Sequence, residues 1–187
     1  PASILGFVGG VALGCLRAFG GPWSSRLGNW YTAIIRGVPL AVQLMMIYYA
    51  LPKMGIYFEP YGAALLSFIL CSAAYHSEYI RGALLSIRQG QIKAAQALGM
   101  TTFQTVFWIV IPGCGNEIIY LIKYSSLAML VTCNELMSEA KVLASDTFRN
   151  TEVFLAVGLY YLILVSLATW CLRWLEKRYS IPGFGNR

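Results

Sequence analysis

The sequence predicts an all-α membrane protein of about five transmembrane helices, with a short cytosolic helix between the third and the fourth. Of its 187 residues, 58% are hydrophobic and 12% are charged, whereas soluble domains carry about 25% charged and about 45–50% apolar residues. Several apolar runs approach the length of about 20 residues that a helix needs to cross a bilayer. We therefore interpret residues 1–187 as a single transmembrane domain.

Basic residues concentrate in alternate loops, and this pattern predicts the orientation of the chain. They follow the first predicted span, surround the loop after the third span and follow the last span: Arg17, Arg26 and Arg36; Arg81, Arg88 and Lys93; Arg173, Lys177, Arg178 and Arg187. Loops rich in Lys and Arg remain in the cytoplasm, so we expect the loop after the third span and the C-terminus inside. The net charge of +6 then reflects orientation and lipid contact, and it gives no nucleic-acid signal.

The first span is predicted within residues 2–18, which are apolar and rich in glycine but shorter than a full span. Because the chain begins at Pro1 without Met, we interpret this stretch as the second part of a span whose beginning is missing. A signal peptide is the weaker alternative, since the basic Arg17 follows the apolar run instead of preceding it. Residues 19–30 are expected to be rich in turns, and residues 31–36 to form a short interfacial helix.

The second and third spans each carry polar groups at depth. The second span, from about residue 36 to about residue 52, holds the amide of Gln43. Such a group usually faces the bundle interior or a water-filled path, so Gln43 contacts either a substrate or a neighbouring helix. The third span, residues 60–88, places Glu78 and Arg81 on one helix face, where they can pair.

A small, Ala-rich helical segment with a Gly turn is predicted in the cytosolic loop at residues 89–104. From Lys93 to Gly99 the chain reads Lys-Ala-Ala-Gln-Ala-Leu-Gly, and nine residues later it reads Ile-Val-Ile-Pro, ending at Pro112. Ala and Gly side chains have little bulk, so the surface of another protein can approach this backbone closely.

The fourth span, from about residue 103 to about residue 133, is predicted to be amphipathic. At about 100° per residue, one arc of about 120° holds Asn116, Glu117, Tyr120, Lys123 and Tyr124, and the opposite side holds Ile118, Ile119, Leu121 and Ile122. The polar side should line something wet or face another subunit. Because Glu117 and Lys123 are six residues apart, they cannot pair as helix neighbours. Either they meet the ammonium and carboxylate of an amino acid, or both pair with other spans and hold the bundle together.

The remaining chain is predicted to comprise an outer loop, a final span and a tail. The outer loop, residues 134–152, contains four acidic and two basic residues and either contacts a substrate-binding protein or is merely solvated. The fifth span is residues 153–174, and the tail at residues 180–187 looks flexible.

Four motifs of this sequence resemble motifs of the permease subunits of polar amino acid ABC importers. The EAA loop of that family reads Glu-Ala-Ala, three residues, Gly, nine residues, Ile, one residue, Leu-Pro. Five positions fall in register with it: Ala94, Ala95, Gly99, Ile109 and Pro112. Lys93 stands where the family has Glu, which reverses a charge.

The other three motifs are Arg-Gly-x-Pro-Leu-x-Val-Gln at residues 36–43, Glu-x-x-Arg-Gly at residues 78–82 and Gly-Asn-Glu at residues 115–117. In the first of these motifs, Val38 replaces the family's usual Thr. After the third motif, Tyr124 follows Lys123 where the family usually has Asp. The change at Tyr124 leaves open which substrate side chain the protein prefers.

This resemblance implies an ABC type I importer permease fold in a bacterial inner membrane. The cytosolic loop would form a coupling helix in a groove of a cytosolic ATPase, through Gly90, Lys93, Ala94, Ala95, Ala97 and Gly99. A polar amino acid would bind at mid-membrane, through Gln43, Asn116, Glu117, Tyr120 and Lys123.

The resemblance also implies partners. Two permease subunits would pair, with a heterodimer favoured because of Lys93, and an extracytoplasmic binding protein would deliver the substrate. ATP and Mg²⁺ would bind to the ATPase, since this chain has no Gly-x-x-x-x-Gly-Lys-Ser/Thr loop and no evident cofactor of its own.

Two other classes of function are weighed against the importer. A secondary transporter driven by an ion gradient would usually carry an internal repeat, and none is visible. A membrane enzyme would use Glu117 and His76, but the single histidine has no plausible nucleophile partner. The five cysteines form no Cys-x-x-Cys pair, so they indicate neither a metal site nor a disulfide framework.

Overall fold

The computed structural model describes residues 1–87, 89–97 and 99–179, and every regular element in these ranges is helical. The α-helices are α1 Ala2–Phe19, α2 Pro22–Gly37, α3 Leu40–Met45, α4 Pro60–Ser86, α5 Gln89–Ala97, α6 Thr102–Tyr124, α7 Leu136–Thr147 and α8 Asn150–Tyr179. A π-helical turn at Met46–Ala50 and a 3₁₀ turn at Leu51–Met54 continue α3, and a 3₁₀ turn at Ser125–Val131 continues α6. The predicted all-α fold is confirmed. The predictions for Arg88 and for residues 180–187 lie outside the described residues.

Length and hydropathy single out fewer spans than the sequence predicts. Within the described ranges, α1 and residues 150–178 of α8 are long and apolar enough to cross a membrane, and Pro22–Gly37 with Leu40–Met54 adds a third span if this bent pair counts as one. Helices α4 and α6, with 27 and 23 residues, measure about 40 and 35 Å at about 1.5 Å per residue. Both exceed the hydrocarbon core of about 30 Å, although their interiors carry polar side chains.

The second span begins with a sharp bend, and our prediction of turns at residues 19–30 is wrong. Pro22 opens α2 near its first position, where its missing N–H costs nothing, and the expected interfacial helix is the second half of α2. Pro39 disfavours the helical conformation at the preceding residue, and Val38 is accordingly extended. The helices on either side of this break are bent by 99°, so the predicted second span is not one straight helix.

The predicted outer loop is mostly helix. The Glu135 carboxylate accepts hydrogen bonds from the backbone N–H groups of Met137 and Ser138, both at 2.8 Å. These bonds satisfy two of the N–H groups that a helix leaves unpaired at its N-terminus, and α7 therefore starts here. Glu135 also accepts a hydrogen bond from the Tyr161 hydroxyl of α8 at 3.2 Å.

Helices α1 and α4 pack closely along a stripe of glycines. Gly6, Gly10 and Gly14 recur every fourth residue and are all buried. A Cβ at Gly6 would lie 2.4 Å from the Ser72 hydroxyl oxygen, and one at Gly10 would lie 2.3 Å from the Cβ of His76. The absence of side chains on α1 therefore sets the distance between the two helices, as in other small-residue interfaces between membrane helices.

Candidate functional site

An ion cluster joins α1, α2 and α4 around one carboxylate. Glu78 lies 2.8 Å from Arg17 of α1, 3.4 Å from Arg36 of α2 and 3.8 Å from Arg81 of its own helix. We call these four residues the Glu78 cluster. The predicted pair of Glu78 with Arg81 is present, but it is the longest of the three contacts. The two other arginines come from distant segments, and the sequence did not assign them to Glu78.

Among the three arginines, Arg17 makes the shortest contact with the Glu78 carboxylate. Its side chain is 5% exposed, and it also donates hydrogen bonds to Ser77 at 2.7 Å and to Asn29 at 2.8 Å. A buried guanidinium needs such partners, because taking a charge out of water costs several kcal/mol. Arg17 thereby connects the three helices, and Arg36 and Arg81 share what remains of the Glu78 charge.

The polar arc of α6 divides into an exposed and a buried part. Asn116, Tyr120 and Lys123 are exposed, and the Lys123 ammonium lies 5.7 Å from the centre of the Tyr120 ring. The Tyr120 ring in turn stacks on Tyr124 at 6.1 Å. These three exposed residues recur at every third or fourth position, so they form one stripe along the helix. That this exposed side is wet or faces another subunit stays a prediction.

Glu117 lies apart from this stripe, in the interior of the chain. It is 1% exposed and belongs to the same buried side of α6 as Cys114 and Leu121. Its Oε1 has no hydrogen-bond partner among the described residues. The predicted set of Asn116, Glu117, Tyr120 and Lys123 is thus on one helix but points two ways. Likewise, Leu121 is buried and Ile118 is exposed, so the opposite side is not uniformly buried.

Gln43 lies at the bend of the second span. Its amide nitrogen donates to the backbone carbonyls of Ile35, in the last turn of α2, at 2.7 Å and of Val38, at the break itself, at 2.8 Å. It therefore stabilises the bend by satisfying groups that the helix end leaves unpaired. Its amide oxygen is buried and has no partner in the described part of the chain. The substrate contact predicted for Gln43 stays a prediction.

A cavity of about 260 Å³ opens between this bend, α4 and α6. Its walls include Arg36 and Val38 from the bend, Cys71 and Tyr75 from α4, and Tyr124 from α6. We call it the Arg36 pocket. The Arg36 guanidinium lies 5.3 Å from the centre of the Tyr75 ring, within the range of a cation–π interaction. Sequence reasoning missed Arg36 as a site residue, although it begins the Arg-Gly-x-Pro-Leu motif.

His76 is part of the packing between α1 and α4. It is 2% exposed, and its Nδ1 lies 2.9 Å from the Ser72 carbonyl oxygen and 3.1 Å from the Ser72 hydroxyl. The Phe7 ring of α1 packs edge-on against it at 5.4 Å. No group of three or more metal-ligating side chains occurs among the residues that the structure describes.

The coupling segment has the predicted form of a helix followed by a Gly turn. Gly99 has φ +82°, a left-handed conformation that glycine adopts readily. The amide of the following residue, Met100, donates to the Ala95 carbonyl at 3.0 Å, which closes the last turn of α5. Gly90, Lys93, Ala97 and Gly99 are exposed, whereas Ala95 is fully buried within the chain. Because Ala95 is buried, it packs within this chain. Ala94 directly follows Lys93 on α5.

The fold and these motifs define a membrane-embedded permease subunit, and comparison with known proteins identifies the family. The chain belongs to the binding-protein-dependent transport system inner membrane components, whose family profile matches residues 6–181. This membership favours the importer over the gradient-driven transporter and the membrane enzyme.

Two relatives illustrate the similarity. The chain is 34% identical to the glutamine transport system permease protein of Escherichia coli strain K12, over 96% of this chain and 88% of the relative. It is 39% identical to the nopaline transport system permease protein of Agrobacterium fabrum, over 90% of this chain and 80% of the relative.

The fold also matches a solved structure. The crystal structure of an amino acid ABC transporter with histidines is 26% identical and superimposes with a TM-score of 0.83, covering 95% of this chain and 86% of that one. The inward-facing MetNI methionine ABC transporter shares the fold, with a TM-score of 0.73 at 22% identity.

Proposed function

We propose that this chain is the permease subunit of an ATP-driven importer of polar amino acids. Relatives named for the transport of glutamine, nopaline and octopine support this substrate class, since all three ligands are amino acids or amino acid derivatives. The observation that carries the proposal is Glu117, a buried carboxylate on a helix long enough to span the membrane, whose Oε1 has no hydrogen-bond partner among the described residues. Ionisable groups at such depth are costly and typically mark a substrate pathway.

The proposed site joins both parts of the α6 polar arc. Glu117 would accept hydrogen bonds from the ammonium group or the basic or amide side chain of the substrate. Asn116, Tyr120 and Lys123 would line the path between this subunit and a second permease subunit. A polar stripe exposed on a membrane helix supports this arrangement, because lipid cannot satisfy its hydrogen-bonding groups.

The proposed assembly contains a second permease subunit, two cytosolic ATPases that bind ATP and Mg²⁺, and an extracytoplasmic binding protein. The chain would cross a bacterial inner membrane several times, with α5 and the C-terminus in the cytoplasm, as the distribution of basic residues predicts. The exposed Lys93 supports α5 as the ATPase contact. We favour a heterodimer, in which the second permease subunit keeps the family's Glu at this position.

Uptake by proteoliposomes that contain the complete importer tests the proposal. Glu117→Gln keeps the size of the side chain but removes its charge, and we expect at least tenfold lower ATP-dependent uptake with normal assembly. Asn150→Asp serves as the control, because it changes a charge at the start of α8, where position 150 is exposed. Uptake by Glu117→Gln equal to that of the wild type would refute the role of Glu117. Uptake that persists without ATP would refute the ATP-driven mechanism.

A further inference from the structure

The strongest unassigned feature is the Arg36 pocket, beginning with its charge. In the Glu78 cluster, one negatively charged carboxylate contacts three positively charged guanidiniums, and the shortest contact, 2.8 Å, is with Arg17. Arg36 is left with a longer contact of 3.4 Å, and its side chain is 41% exposed. Arg36 therefore retains uncompensated positive charge on the wall of a cavity. The planar guanidinium matches the geometry of a carboxylate, with which it can form two parallel hydrogen bonds.

The pocket geometry holds this guanidinium in place. The Tyr75 ring lies 5.3 Å from it, and Gln43 fixes the bend that carries it through two hydrogen bonds to the bend's carbonyls. A positioned guanidinium loses less freedom when it binds an anion than a mobile one does. The volume of about 260 Å³ is slightly below the range of about 300–1,000 Å³ for small-molecule sites, so an amino acid or part of one fits.

A second polar feature, the Glu117 carboxyl group, lies on the α6 side of the same pocket. Glu117 precedes Tyr124 of the pocket wall by seven residues, which is about two turns along the same face of α6. Its Oε1 has no hydrogen-bond partner among the described residues. The pocket thus has a cationic end at Arg36, and a carboxyl group that can accept hydrogen bonds lies about two turns away on α6. An α-amino acid with an amide or cationic group has the complementary arrangement.

We propose that the Arg36 pocket binds the α-carboxylate of the transported amino acid, whose ammonium or side-chain donor then faces Glu117. This inference rests on the proposed importer function and deepens it. It assigns the carboxylate to Arg36 instead of Lys123, whose ammonium lies over the Tyr120 ring on the exposed stripe. Selectivity would then depend on the carboxylate, so a decarboxylated amine would bind more weakly than its amino acid, and its binding would not depend on Arg36.

The test measures direct binding to the detergent-purified complex of permease subunits and ATPases, without the binding protein. The probes are the twenty proteinogenic L-amino acids and octopine, followed by the decarboxylated amine of whichever compound binds. Isothermal titration gives Kd for wild type, Arg36→Gln, Arg36→Lys and the control Arg81→Gln. Arg81 belongs to the same ion cluster but not to the pocket walls given by the structure.

We expect Arg36→Gln to weaken amino acid binding at least tenfold and to leave amine binding unchanged. Arg36→Lys should recover part of the loss, and Arg81→Gln should bind like the wild type. Equal weakening for the amino acid and its amine, or equal effects of the two glutamine variants, would overturn the assignment. A wild-type complex that transports amino acids but binds none directly would also overturn it. A wild-type complex that neither transports nor binds any probe would refute the importer function itself.

If Arg36→Gln fails to assemble, Ala41→Leu decides the question, because Ala41 lines the pocket without belonging to the ion cluster. Filling the pocket should weaken binding of the amino acid at least tenfold. Unchanged binding would show that the substrate does not enter the pocket.

Discussion

Gly10→Ala tests the close packing of α1 on α4, the contact that positions Arg17 against Glu78. The new Cβ would lie 2.3 Å from the Cβ of His76 and 3.1 Å from the Ala73 carbonyl oxygen. Carbon atoms in van der Waals contact are about 3.5–4.0 Å apart, so the helices would have to separate by about 1 Å or more. Overpacking of this kind costs about 1–3 kcal/mol.

The control for this substitution is its neighbour Gly9→Ala, whose Cβ would lie 3.4 Å from the Cβ of Ala73. Both variants gain the same helix propensity, about 1 kcal/mol in favour of Ala, so the difference between them isolates the steric cost. We expect the Tm of Gly10→Ala in detergent to lie about 2–12 °C below that of Gly9→Ala, at about 2–4 °C per kcal/mol for a chain of this size. Equal Tm values for the two variants would refute the packing argument.

Three further substitutions test the Glu78 cluster, the α7 cap and the coupling helix. Glu78→Gln removes the carboxylate that faces the buried Arg17. We expect the free energy of unfolding, measured by denaturant titration, to fall by about 3 kcal/mol, at the low end of the cost of breaking a buried ion pair. A loss below about 1 kcal/mol would contradict the importance of this pair. Glu135→Ala removes two hydrogen bonds at the start of α7 and should lower the stability of this helix end by about 0.5–2 kcal/mol. We expect faster amide hydrogen exchange in the first turn of α7, and unchanged exchange would contradict the role of this cap. Lys93→Glu should leave uptake intact or raise it in a heterodimer, and a complete loss would indicate an ATPase groove built for Lys.

Sequence reasoning predicted best what depends on local spacing. Glu78 and Arg81 are three residues apart on one helix, and the structure pairs them. The Gly at position 99 predicted a turn, and it adopts positive φ. Both features depend on a few consecutive residues, whose helical geometry is fixed by the backbone.

Tertiary contacts decided the features that were missed. Arg17 meets Glu78 across 61 residues of sequence, and only the packing of α1 on α4 brings them together. The spacing of Gly6, Gly10 and Gly14 was available as a signal, and it indicates a close helix contact without naming the partner. Likewise, helix periodicity grouped Glu117 with Lys123, but the position of α4 against α6 buries one and leaves the other exposed.

The most direct test of the account is the set of proteins that copurifies with this chain from its native membrane in mild detergent. Quantitative mass spectrometry of that preparation should find an ATPase subunit in stoichiometric amount, together with a second, different permease subunit. An ATPase alone would indicate a homodimer, with an ATPase groove adapted to Lys93. The absence of any ATPase in several detergents would contradict the importer assignment.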